Sequence, residues 1–175
     1  MNRSMRALLV VVVALIVVVG IYVGFHRPPV SSVGTPLTVY YTKTDGTTLA
    51  TWTITMRPAA PGESATAYRA ARALYAAVQV VAGPPANVDA IRFPSGTRAL
   101  GATVSGTTAV VNLSGDVAHT GGGSFGEDGE FKALVYTMTS LPNITAVKVT
   151  IDGKTVATLP GGHLELDQPL HRTDW

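Results

Sequence analysis

Residues 7–25 read ALLVVVVALIVVVGIYVGF, a run without a single charged side chain. As an α-helix at about 1.5 Å per residue it is about 28 Å long, close to the ~30 Å hydrocarbon thickness of a bilayer. Signal-peptide cores are shorter, about 7–15 residues, and end at a small-x-small cleavage site. Here Phe25, His26, Arg27, Pro28 and Pro29 follow instead. The segment reads as an uncleaved anchor over residues 1–27, with a cleaved signal peptide as the alternative. A buried core helix is a poor third reading, because a run this long is apolar on every side. Arg3, Arg6 and the α-amino group precede the span, and His26 and Arg27 follow it. That balance places the N-terminus inside and the rest of the chain on the extracytoplasmic side of the cell membrane, as a single-pass protein.

The anchor also accounts for the charge. The 175-residue chain carries 13 Lys and Arg against 11 Asp and Glu, a formal +2. Three of the arginines, Arg3, Arg6 and Arg27, belong to residues 1–27. The rest is close to neutral, so no basic patch argues for nucleic acid. The absence of cysteine excludes a disulfide scaffold, thiol catalysis, thiolate metal ligands and a lipid attached through cysteine.

Residues 28–36 (PPVSSVGTP) have linker composition. Leu37, Val39 and Tyr41 then alternate with threonines and Tyr40. After Asp45-Gly46, Trp52, Ile54 and Met56 alternate with Thr51, Thr53 and Thr55, which predicts a β-hairpin with an outer threonine face. Ser64 is the expected N-cap of a helix whose apolar face is Tyr68, Ala71, Leu74, Tyr75, Val78 and Val81, with Arg69, Arg72 and Gln79 off that stripe. Gly83-Pro84-Pro85 stops it. Residues 86–106 are mixed, and Ala109, Val111 and Leu113 mark a strand, alone or with a partner before it. Six glycines in residues 115–129 read as a flexible loop. Phe131, Leu134, Val135, Met138 and Leu141 then predict a second helix, with Glu127, Asp128 and Glu130 at its N-terminal end, where carboxylates suit the dipole. Val147, Val149 and Ile151 form a strand, Asp152-Gly153 a turn, and residues 155–159 a returning strand. Leu164, Leu166 and Leu170 are docking points for the tail. The expected fold is α+β: a transmembrane helix plus one small domain over residues 37–175, with two helices on one face of a mostly antiparallel sheet.

Several stretches are similar to one family. Val81–Pro85 (VAGPP), Ala90–Thr97 (AIRFPSGT), Thr108–Ser114 (TAVVNLS), Leu134–Thr139 (LVYTMT), Val147–Lys154 (VKVTIDGK) and Pro169–Arg172 (PLHR) follow one another in the order and spacing of the GerMN domain. The chain resembles this domain of sporulation and spore-germination proteins over about residues 37–175. The resemblance implies a bacterial, extracytoplasmic, membrane-associated domain with a compact α+β fold akin to ring-building modules, and no enzymatic activity. Spore-former members often carry two copies behind a lipid-modified cysteine. This chain has one copy behind an apolar helix, so a general envelope role is what transfers.

The motifs that suggest chemistry are weak. Gly121, Gly123 and Gly126 spell G-x-G-x-x-G, but the strand ends well before them and three carboxylates crowd the helix start, so no cofactor site is expected. His119, His163, His171 and Asp116 have no ligand spacing, and no metal site is expected. Ser124 with His119 and Asp116 supplies the residue types of a hydrolase without an elbow motif, and no catalytic residue is assigned. Arg172 belongs either to a buried ion pair or to the surface. Tyr40, Trp52 and Tyr68 are half-buried packing residues or a sugar-binding platform. The resulting reading is a non-catalytic envelope module that works through protein contact or self-association. A peptidoglycan-binding module and an envelope hydrolase are the alternatives. Since the linker offers few packing contacts, a chain of residues 37–175 is expected to be soluble and to unfold in one cooperative transition, measured by circular dichroism on heating.

Overall fold

The computed structural model describes residues 34–119 and 123–175. The anchor, the linker up to residue 33, and Gly121 lie outside the described residues. Among the described residues, no helix is long and apolar enough to cross a membrane.

The elements are β1 (Thr35–Thr42), β2 (Leu49–Met56), α1 (Ala65–Ala82), β3 (Ala99–Ser105), β4 (Thr108–Leu113), a 3₁₀ turn (Gly115–Ala118), α2 (Gly123–Met138), β5 (Ala146–Ile151) and a closing 3₁₀ turn (Arg172–Asp174). The α+β class is as expected, but the strands form two sheets. One is the β1–β2 hairpin, which is antiparallel and in unbroken register from Thr35↔Met56 to Thr42↔Leu49. The other has the order β3-β4-β5, with β3–β4 antiparallel and β4–β5 parallel. The parallel pair follows from the chain's route: α2 lies between β4 and β5 and serves as the crossover that a parallel connection requires.

Four local expectations change. Thr35 and Pro36 belong to β1 rather than to the linker. The strand before Gly106 is real, and it pairs with β4 across the Gly106-Thr107 turn. The glycine-rich stretch is largely helical: α2 begins at Gly123, and Gly126 and Gly129 are buried within it. The Asp152-Gly153 turn forms, with both residues at positive φ (48° and 76°), but no strand returns from it. Lys154 makes a single bridge to Ile151. Leu159 and Leu166 then enter the core, and Leu170 takes the place beside Val147.

Ser64 caps α1, its Oγ accepting the Ala67 N–H at 3.1 Å, and Gly83 ends it at φ 85°. The core face of α1 differs from the stripe read from sequence. Ala73, Ala76, Ala77, Val80 and Val81 are buried, whereas Val78 is 41% exposed. Alanines let the helix axis approach the sheet closely, which is why the small-residue face is the one turned inward. Helix α2 is enclosed on most of its circumference, with Phe131, Leu134, Val135 and Met138 at 0% exposure.

The tail closes on α2. Arg172 makes neither the ion pair nor the free surface position that its sequence left open. Its Nε donates to Thr139 Oγ1 at 2.6 Å and its Nη2 to the Tyr136 carbonyl at 3.0 Å. The guanidinium lies 4.8 Å from the Tyr136 ring centroid and 5.6 Å from that of Tyr40. Carbonyl and ring faces replace a carboxylate as its partners. Arg172→Ala is expected to lower unfolding stability by about 1–3 kcal/mol, read from the urea midpoint. Arg172→Lys should recover less than half of that loss, because an ammonium cannot make both fork contacts while stacking.

Candidate functional site

Two glutamates occupy the second and third turns of α2, and neither is solvated. Glu127 is 1% exposed and Glu130 4%. Three residues apart, they stand on one side of the helix. Glu127 Oε2 accepts the His163 N–H at 2.8 Å, and Gly162 lies so close that a Cβ there would collide with the carboxylate. Glu127 Oε1 and Glu130 Oε2 are buried without a hydrogen-bond partner. Arg57–Glu63 is the one ion pair among the described residues, so no basic side chain neutralises either glutamate. Burial first, and the Glu127 charge second, push the Glu130 carboxyl up to about 8. At neutral pH Glu130 therefore carries a proton.

An open depression of about 370 Å³ adjoins Glu127, lined also by Ser124, Phe125, Asp128, His163 and Leu164. Ser124 thus meets His163 and Asp128, not the His119 and Asp116 of the sequence reading. Asp116 accepts the Ser114 hydroxyl at 2.9 Å, and His119 ends the 3₁₀ turn in solvent. Asp128 accepts the Trp175 indole N–H at 2.6 Å. Among the described residues no hydrogen bond joins Ser124 to a histidine, and no three His, Asp or Glu side chains converge as metal ligands. His171 is exposed beside the closing turn, with its N–H donating to Asp174. Gly123 is the first residue of α2 and Gly126 lies within it, rather than in a loop directly after a strand.

The aromatic residues do not converge either. The Tyr40 and Tyr136 rings lie 5.9 Å apart at a tilt of 58°. Trp52, 44% exposed, is opposite Val39 in the hairpin register and so lies on the other face from Tyr40. Tyr68 is held between Arg57 and Arg72, 5.8 and 5.9 Å from its ring.

The remaining surface of note is on the β2–α1 side. Among the described residues strand β2 (LATWTITM) pairs only with β1, and it has no charge, proline or register shift. Thr51, Thr53 and Thr55 are exposed, as expected. The stripe of α1 assigned to the core by its periodicity, Ala71, Leu74, Tyr75 and Val78, lines an open groove of about 490 Å³ with Met56. One ridge away on α1 lies a small pocket of about 90 Å³ between Tyr68, Arg69 and Arg72 and the turn Leu141–Ile144. Sequence reasoning passed over Arg69 and Arg72 as ordinary polar-face residues. The signal available to it was that α1 contains two arginines and no acid.

The family model for Germane, described as sporulation and spore germination, matches residues 38–157. The chain belongs to the Germane family. Three solved structures share its fold. The first GerMN domain of the sporulation protein GerM from Bacillus subtilis has a TM-score of 0.56 and 20% identity, covering 80% of this chain and 99% of that one. The tandem GerMN domains of the same protein give 0.56 and 16%, covering 84% of this chain and 49% of theirs, so this chain spans about half of the tandem. A Clostridium perfringens protein provisionally described as a lipoprotein gives 0.55 and 18%, covering 85% of this chain and 94% of that one. No curated protein matches the sequence. The GerMN-like domain inferred from the six sequence stretches is therefore present.

The Glu130 proton makes stability depend on pH in a definite direction. The unfolded carboxyl releases its proton near 4.5 and the folded one near 8, so the folded state binds more protons between those values. Stability is fully present below about pH 4.5 and falls as pH rises towards 8. Glu130→Gln is expected to remove this slope and to be the more stable form at pH 8, by up to about 5 kcal/mol. Urea denaturation of both forms at pH 5, 6.5 and 8 measures it.

Proposed function

We propose that this Germane chain is a non-catalytic module of the bacterial cell envelope that acts by protein contact, held to the membrane by residues 7–25 with its domain on the extracytoplasmic side. The observation that carries the reading is the β2–α1 surface. An eight-residue edge strand without charge, proline or bulge is normally blocked or covered in a free monomer. Here an open apolar groove adjoins its end. The depression at Glu127, by contrast, holds no nucleophile linked to a base. Membership of a family described by sporulation and spore germination supports an envelope setting.

The test uses the full chain cross-linked in its native membrane, beside binding to purified peptidoglycan sacculi. Discrete protein adducts are expected, with sacculus binding no greater than that of a control protein. Replacing Thr51, Thr53 and Thr55 with Lys should diminish the adducts severalfold. It should leave the melting temperature nearly unchanged, since exposed positions contribute under about 0.5 kcal/mol each. Saturable sacculus binding without adducts would replace this reading by glycan recognition.

A further inference from the structure

Helix α1 (ATAYRAARALYAAVQVVA) carries Arg69 and Arg72 and no acidic residue. Among the described residues neither arginine has a carboxylate within 4 Å; the one ion pair is Arg57–Glu63. Arg69 Nη2 donates to the Gly106 carbonyl at 2.9 Å. Arg72 differs, because its Nε is buried and has no acceptor at all. A buried charged donor left unpaired is unfavourable, and it gains most from an ionised oxygen, whose paired lone pairs match the guanidinium fork. The Tyr68 ring lies 5.9 Å from the Arg72 guanidinium and steadies it. Leu141, Pro142, Asn143 and Ile144 form the opposite wall of the pocket, and the apolar members of this wall strengthen any ion pair made there. About 90 Å³ accommodates a carboxylate group.

The neighbouring groove has the complementary character. Met56, Ala71, Leu74, Tyr75 and Val78 line it together with Gln79 and with Arg57, which is already paired with Glu63, and Val78 is 41% exposed. Pocket and groove sit on adjacent faces of the same helix, so one ligand segment can fill both.

We propose that the pocket at Arg69 and Arg72, together with the groove along Ala71–Val78, is a docking site for a segment of a partner protein that bears an acidic side chain flanked by apolar residues. The carboxylate pairs with Arg72 and Arg69, and the apolar side chains cover the groove. Charge complementarity selects this occupant: a basic, acid-free helix face with one buried donor lacking an acceptor calls for an anion, and the groove beside it calls for hydrocarbon. The proposal rests on the protein-contact reading and gives that contact a place and a chemistry.

The test is a displayed random-peptide selection against the full 175-residue chain in dodecyl maltoside, followed by titration of the enriched peptides. The chain contains no cysteine, so Val78→Cys adds a unique thiol for a nitroxide label. Enriched peptides are expected to share an Asp or Glu within four residues of Leu, Ile, Val or Phe, and to immobilise the label. Arg72→Ala and Val78→Asp should each weaken them about tenfold or more. Arg72→Lys should recover only part of the affinity, because it keeps the charge and loses the fork. Melting temperatures within a few degrees of the parent show that the variants are folded. Peptides that bind Arg72→Ala and Val78→Asp as well as the parent would overturn this site and leave the protein-contact reading standing. A label that instead becomes buried in lipid when the chain is placed in nanodiscs containing phosphatidylglycerol, with no peptide enriched, would overturn the site and the reading beneath it.

Discussion

The structure depends on the enclosure of α2. A two-stranded hairpin is marginal by itself and a three-stranded sheet exposes a face; in this chain α2 packs on β1 and β5, while α1 covers β3 and β4. The helix also completes the backbone hydrogen bonding of β1. Thr137 Oγ1 accepts the Tyr40 N–H at 2.9 Å, and the Ser140 hydroxyl donates to the Thr38 carbonyl at 3.1 Å. In return the Thr42 hydroxyl donates to the Gly129 carbonyl at 2.8 Å. Side-chain hydroxyls of α2 and of the turn after it thus occupy the edge where a further strand would otherwise pair. Gly129 permits the approach on another side, because a Cβ there would collide with Ile91.

Enclosure also explains which parts of the fold the sequence announced. The hairpin was legible because one face meets the core and the other meets water, so its alternation is clean. The second half of α2 was legible from Phe131 to Leu141. Its first half was not: glycines that are there for close packing look the same in a sequence as glycines of a loop, and buried glutamates look the same as carboxylates placed for the dipole. The parallel pairing of β4 and β5 lies beyond local pattern altogether. In α1 the periodicity was genuine and the assignment of the core face was right only in part: Val81 is buried and Tyr75 packs against the core, but Ala73, Ala76, Ala77 and Val80 supply the rest of that face. An alanine-rich helix is apolar nearly all round, and the larger side chains drew attention away from the alanines.

The candidate surfaces were less visible still. Nothing local distinguishes Arg72 from a solvated arginine; its buried Nε arises from the turn at Leu141–Ile144, some seventy residues later in the chain. Arg172 teaches the converse lesson. Its sequence context left an ion pair or solvent as the choices, whereas two tyrosine rings and a carbonyl hold it. Both cases turn on partners remote in the chain, which composition and spacing do not register.

The same remoteness governs how the domain is made. Tyr40 and Thr137 are 97 residues apart, and Thr38 and Ser140 are 102 apart. A chain emerging N-terminus first presents its hairpin and its alanine-rich helix long before α2 arrives to cover them. Folding of such non-local contacts is slow, and the uncovered strand edges are prone to aggregation in the interval. Biogenesis of this domain is therefore an essentially post-synthetic event. Until residue 138 has been delivered, the earlier elements need either protection by a holding chaperone or a synthesis rate fast enough to shorten their exposure.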